Sequence, residues 1–167
     1  MSARQDQIDI AIKRLKSSDA FKAAERKLDF WAVVLVGTLG RVPKGFGDNR
    51  GWWPGRVGIT RDPDEYTRRM DLEQVHEHAS LEIVWTESHR HALRLKARLD
   101  VLLLGESEIN RIRHGWRDLE DPDITWPILL GQALDEIREG GEAVEVFSEQ
   151  MRLQKILNEA RKKGRAR

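Results

Sequence analysis

No cysteine occurs among the 167 residues, which excludes disulfides, thiolate zinc centres and cysteine nucleophiles. Any bound metal would need oxygen or imidazole ligands. No stretch approaches the roughly 18 consecutive apolar residues of a membrane span, and the polar start from Met1 to Asp9 has neither the basic nor the apolar region of a signal peptide. A soluble, cytoplasmic protein without membrane contact is expected. The sequence also lacks a Gly-x-Gly-x-x-Gly or Walker loop, which argues against a nucleotide cofactor, and its Ser, Asp and His residues form no nucleophile elbow or hydrolase triad. Tyrosine is reduced to the single Tyr66.

What is present suits one core with appended elements: hydrophobic residues make up 40% and charged residues 34%, enough apolar material to fold. The formal net charge of +1 hides segregation along the chain. Residues 30–70 carry seven basic and four acidic side chains, and residues 88–119 repeat that balance. Residues 71–87 carry five acidic and no basic ones, and residues 120–150 set nine acidic residues against Arg138 alone. From Met151 to Arg167 the sign reverses, with seven basic residues against Glu159. Such a tail can neutralise phosphates and release counterions, or serve as a solvated helix end that complements the helix dipole.

Periodicity supplies a coarse order of elements. Ile8, Ala11, Ile12 and Leu15 follow the spacing of one buried helical face, Ser17-Ser18-Asp19 interrupts it, and Phe21, Ala24 and Leu28 continue it. Phe30 to Val36 reads as a central strand covered on both faces, and Arg56 to Thr60 as a second strand. Asp62 and Pro63 then open a helix as N-cap and first helical residue. Ala79 to Thr86 alternates as a third strand. Residues 88–104 form a helix that packs on the sheet, stopped at Gly105. Two further helical stripes follow, Leu130, Ala133, Leu134 and Ile137, then Val144, Phe147 and Met151, parted by Gly140-Gly141.

Between the first two strands, the loop from Thr38 to Gly55 is longer than most connections in a compact domain. Arg41, Lys44 and Arg50 offer phosphate partners, and Phe46, Trp52 and Trp53 offer stacking surfaces; Trp52 and Trp53 could equally fold back on the sheet edge. Five histidines fall between residues 76 and 114. If residues 79–86 form one strand, His76-Glu77-His78 and His89-Arg90-His91 stand roughly 25 Å apart and cannot share a metal.

The stretch Arg56-Val57-Gly58-Ile59-Thr60-Arg61-Asp62-Pro63, followed by Arg68 and Arg69, resembles the second half of the GIY-YIG nuclease signature. There a short strand ending in Gly enters a helix with a catalytic arginine. Phe30 to Gly37 matches the preceding strand, and Ala92 to Asp100 falls where the superfamily places its metal-binding helix. The resemblance spans roughly residues 30–119 and implies an α/β (α+β) fold, a small three-stranded mixed sheet flanked by helices. It divides the chain into an N-terminal helical extension (1–29), a GIY-YIG-like domain (30–119) and a C-terminal helical extension with a basic tail (120–167). It also implies phosphodiester chemistry, with Arg68 or Arg69 clamping phosphate; Tyr66, the single tyrosine, falls on the helix where the arginine is expected rather than on a strand and is a third candidate catalytic residue beside them.

Several positions depart from the superfamily pattern. Lys96 stands in the glutamate slot and Asp100 in the histidine slot, Phe30 and Trp31 occupy the first motif, and Arg56 replaces the second tyrosine. An ammonium repels the Mg²⁺ or Mn²⁺ that a carboxylate would hold. Lys96 and Asp100 read as a surface i, i+4 ion pair, or Asp100 or Glu87 stands in as a relocated metal ligand. Three functions follow. The first is a nuclease-fold protein that binds nucleic acid, DNA rather than RNA, through Arg41, Lys44, Arg50, Trp52, Trp53, Arg56, Lys96 and the Arg68–Arg69 pair, with cleavage weakened or lost and no cofactor required. The second is an active endonuclease using Mg²⁺ or Mn²⁺ on Asp100 or Glu87. The third is a structural or regulatory module whose acidic block and basic tail bind a protein partner or a second copy.

Overall fold

The computed structural model describes residues 3–39, 53–72, 78–106, 117–119 and 122–165. Helices α1 (Ala3–Ser17) and α2 (Asp19–Lys27) lead into strand β1 (Trp31–Leu39). Strand β2 (Trp53–Thr60), helix α3 (Pro63–Leu72), strand β3 (His78–Thr86) and helix α4 (His89–Glu106) follow. A short strand β4 (Arg117–Leu119) and helices α5 (Pro122–Glu139) and α6 (Glu149–Arg165) complete the chain. The architecture is the expected α+β class, with helices flanking a sheet. The strands run in the order β3-β1-β2-β4, and each pairing is antiparallel rather than mixed. A fourth strand joins the expected three because β4 returns along the outer edge of β2.

β1 is central, as its apolar run implies, and Ala32 to Val36 are wholly buried. Alternation sends its side chains to two different cores. Val33 and Leu35 meet Val57 of β2 and the buried stripe Ala92, Leu95, Leu99 and Leu103 of α4, backed by Trp126, Leu129, Ala133 and Ile137 of α5. On the opposite face Phe30 and Ala32 join Trp85, Phe21 and Ala24 of α2, and Ile156 of α6. Each fully buried leucine contributes about 1.5–3 kcal/mol relative to leaving it in water, so the α4 stripe is a large part of what holds that helix on the sheet.

Caps set several boundaries. Ser18 accepts a hydrogen bond from the Phe21 backbone at 3.2 Å and starts α2, while Asp62 Oδ1 accepts from Glu65 N at 3.1 Å and starts α3 as anticipated. At the end of α5, Gly141 adopts φ 90°. The backbone N–H of Gly141 bonds to the Arg138 carbonyl, and that of Glu142 to the Ile137 carbonyl, the paired closure that favours glycine at this position.

Four expectations change. The strands extend into the presumed loop, since Gly37 pairs with Gly55, so the connection outside the described residues is 40–52. Helix α4 continues to Glu106, past Gly105. Val144 and Phe147 are not helical: Phe147 exchanges two backbone hydrogen bonds with Trp85, of 2.8 and 3.0 Å, forming an isolated antiparallel bridge. Val144 and Val146 turn to one core and Phe147 to the other, the period-two habit of an extended segment. Finally, α1 contains no buried residue, although its stripe had the spacing of a buried face.

The charge blocks answer one another locally. Arg90 and Arg94 of α4 both pair with Glu142, and Arg98 pairs with Glu136 of α5. The acidic segment is thus matched in part by one basic face of α4, one turn per arginine.

Candidate nucleic-acid interface

The turn from β2 into α3 is built by short polar contacts. Thr60 Oγ1 accepts from Asp62 N at 2.9 Å and donates to the Asp62 carbonyl at 3.0 Å. Pro63 follows as the first helical residue, where its missing N–H costs nothing. The turn folds α3 back over β2. Tyr66 comes to rest directly above Gly58, so that a Cβ at position 58 would lie only 2.1 Å from the Tyr66 hydroxyl oxygen. Glycine at 58 is therefore a requirement of close approach. The Arg56 guanidinium, two residues earlier on the same face of β2, stands 5.9 Å from the centre of the Tyr66 ring, within cation–π range.

Arg68 and Arg69 lie one turn further along α3 and are exposed. Arg68 donates to both Glu65 carboxylate oxygens, at 2.9 and 2.6 Å, and Arg69 Nε stands 3.4 Å from the same carboxylate. The hydrogen bonds from Arg68 hold the Glu65 carboxyl below its ordinary pKa, with a further contribution from Arg69. Exposed pairs of this kind are weak because water and salt screen them, so an incoming phosphate can displace Glu65 at little cost. Arg61, not singled out from sequence, donates to the Leu28 carbonyl at 3.3 Å and reaches Asp29 at 4.0 Å.

Other anticipated residues are placed apart from this cluster. Trp31 belongs to the opposite face of the sheet, packed against the α4 core. Its indole donates to Asp29 at 2.9 Å and its ring lies 4.2 Å from that of His89. Lys96 and Asp100 on α4 form an ion pair at 2.6 Å, and α4 covers the face carrying Val57, not the face carrying Arg56 and Gly58. Glu87 sits 3.8 Å from Lys155. Asp100 is eleven residues into α4 from His89, a rise of roughly 16 Å, so Glu87 and Asp100 do not share one metal shell. Among the described residues no three potential metal-holding side chains come together. Arg41, Lys44, Arg50 and Trp52 lie outside the described residues, and Trp53 opens β2.

Sequence reasoning also missed a cleft of about 720 Å³ beside this cluster, walled by Lys16 at the end of α1, α2, the start of α3 and the start of α6 and floored by Phe30, Ile83 and Trp85. Arg152 projects into it. Its guanidinium lies 4.4 Å from the centre of the Trp85 ring and pairs with Glu25 at 2.7 Å and Glu149 at 3.0 Å. Only 11% of that side chain is exposed. The available signal was weak, an arginine in the first turn of a helix that otherwise reads as part of a basic tail.

The chain matches no family model, no curated protein and no solved structure.

Proposed function

We propose that this protein binds nucleic acid, duplex DNA in the first instance, on a nuclease-like α+β scaffold in which phosphodiester cleavage is weakened or lost. The observation that carries this reading is the seat of Tyr66 on Gly58 with the Arg56 guanidinium 5.9 Å from its ring. A strand, a glycine platform and a helix thereby gather a half-buried aromatic ring and arginines around one turn. The element order β1, β2, α3, β3, α4 agrees with the GIY-YIG resemblance. The ion pair between Lys96 and Asp100 supports lost cleavage, because it engages the carboxylate that a metal would need and puts an ammonium beside it.

Arg56, Arg68 and Arg69 act as phosphate partners in this reading. Labelled duplex and single-stranded DNA on a native gel, at low and moderate salt with Mg²⁺ or Mn²⁺, test it directly. Retention should weaken steeply with salt without product formation, and Arg68→Glu with Arg69→Glu should reduce the slope of log affinity against log salt by about two. Unchanged affinity in that variant removes α3 from the interface. Metal-dependent cut products would favour the endonuclease reading, with Asp100→Ala and Glu87→Ala deciding whether either carboxylate takes part.

A further inference from the structure

Helix α1 carries an apolar stripe yet has no fully buried residue. Ile8, Ile12 and Leu15 follow one another at i, i+4 and i+7 with Ala11 beside them, and every residue of the helix is exposed except half-buried Ile12. Ile8 is 44% and Leu15 36% exposed. Ile10 points away from this stripe and belongs to the outer side. An isolated helix of this length is marginal in water, and most helices are stabilised by packing an apolar face. What such a face needs is a partner of matching length and charge.

The charges along α1 specify one. Its first half carries Asp6 and Asp9 with Arg4, and its second half Lys13, Arg14 and Lys16 with no acid. On a helical wheel of 100° per residue, Asp9 and Lys16 border the same side of the apolar stripe. Two copies packed antiparallel, with Ile12 near the two-fold axis, set Ile8 against Leu15 of the other copy. The same register brings Asp9 beside Lys16 of the other copy, and symmetry repeats both contacts. A parallel pair would put the basic halves together. We infer that α1 is a self-association element, the Ile8–Ile12–Leu15 stripe pairing antiparallel with the same stripe of a second copy. This is an isologous contact, in which one surface complements itself. It is independent of the nucleic-acid reading, since none of Arg56, Tyr66, Arg68 or Arg69 takes part. The seam is only about 22 Å long at the helical rise, so the dimer is expected to be concentration-dependent over the micromolar range rather than permanent.

Sedimentation equilibrium of the full chain from low micromolar to several hundred micromolar tests the inference. The expected result is a monomer–dimer equilibrium that Ile8→Glu with Leu15→Glu abolishes. Asp9→Lys or Lys16→Glu alone should weaken it about tenfold, from two symmetry-related pairs turned repulsive, while Asp9→Lys combined with Lys16→Glu restores it. Circular dichroism and melting of each variant show that the body remains folded, because none of these side chains is buried. A monomer at every concentration overturns the inference, and so does a dimer indifferent to the Ile8 and Leu15 substitutions. Rescue failure in the charge-swapped double variant overturns the antiparallel register. If the α1 variants change only DNA retention or co-sedimentation with anionic lipid vesicles, the stripe serves that partner instead and the inference is wrong.

Discussion

Replacing Gly58 by alanine probes the one contact on which the proposed interface depends. The added Cβ would lie 2.1 Å from the hydroxyl oxygen of Tyr66, 2.4 Å from Cζ and 2.7 Å from Cε2. Ring atoms, and not merely the end of the side chain, are therefore in the way, and the ring has to leave its seat on β2. Gly58 does not have the positive φ seen at Gly141, so the backbone itself accepts alanine and the penalty arises from the contact alone. Overpacking of this kind costs about 1–3 kcal/mol. It is offset by about 0.5–1 kcal/mol because alanine restricts the unfolded chain more than glycine does. A net loss of about 1–2 kcal/mol is expected in urea unfolding followed by tryptophan fluorescence. In a Tyr66→Ala background the clash is gone, and Gly58→Ala should be neutral or stabilising by up to about 1 kcal/mol, giving a coupling of about 1–3 kcal/mol between the two positions. An equal penalty in both backgrounds, or no penalty in the parent, refutes the seating of Tyr66 on Gly58.

Three other perturbations have definite outcomes. Arg152→Met should cost about 2 kcal/mol in the same assay, because it removes the cation from Trp85 and leaves Glu25 and Glu149 without their common partner; a change under about 0.5 kcal/mol would show that the cleft tolerates its loss. Asp100→Ala should alter stability by no more than about 0.5 kcal/mol, the usual worth of an i, i+4 surface pair, and a loss several times larger would contradict that assignment. Glu82, half-buried on β3, has its pKa raised first by desolvation and then by the nearby charge of Asp123. A carboxyl with its folded pKa above its unfolded one favours folding while protonated. That contribution is fully present below the unfolded pKa and disappears as pH rises through the folded one. Glu82→Gln should therefore raise the melting temperature relative to the parent at neutral pH, and the gap should close in mild acid; a gap independent of pH would mean the carboxyl is not the cause.

Legibility in the sequence followed the range of the interaction concerned. The start of α3 was readable because Asp62 and Pro63 act within one turn, and the burial of β1 was readable because five successive residues from Ala32 to Val36 admit no polar side chain. The helical reading of Val144 to Met151 failed because apolar residues three and four apart also arise from an alternating segment that bends into a helix. The bridge between Phe147 and Trp85, 62 positions apart in the chain, decided between them. The antiparallel pairing was equally out of local reach: a strand's own pattern reports which faces are buried, not the direction of its neighbour.

The candidate site shows the same limit more sharply. Arg56, Tyr66, Arg68 and Arg69 were all recognisable as residues, yet their chemistry depends on which side of the sheet each occupies. Arg56 alternates with buried Val57 and so faces away from α4, while Tyr66 is drawn onto that same face by the absence of a side chain at Gly58. Lys96 and Asp100, on the helix covering the other face, pair with each other. Spacing along α4 made that ion pair foreseeable; the sheet that stands between α4 and the Tyr66 seat did not follow from any spacing. That placement has a testable consequence for cleavage: a carboxylate introduced at position 96 would lie on the far side of the sheet from the ring and Arg56, so Lys96→Glu alone should not produce metal-dependent cutting. Cut DNA from that single variant would show that α4 and α3 serve one site after all.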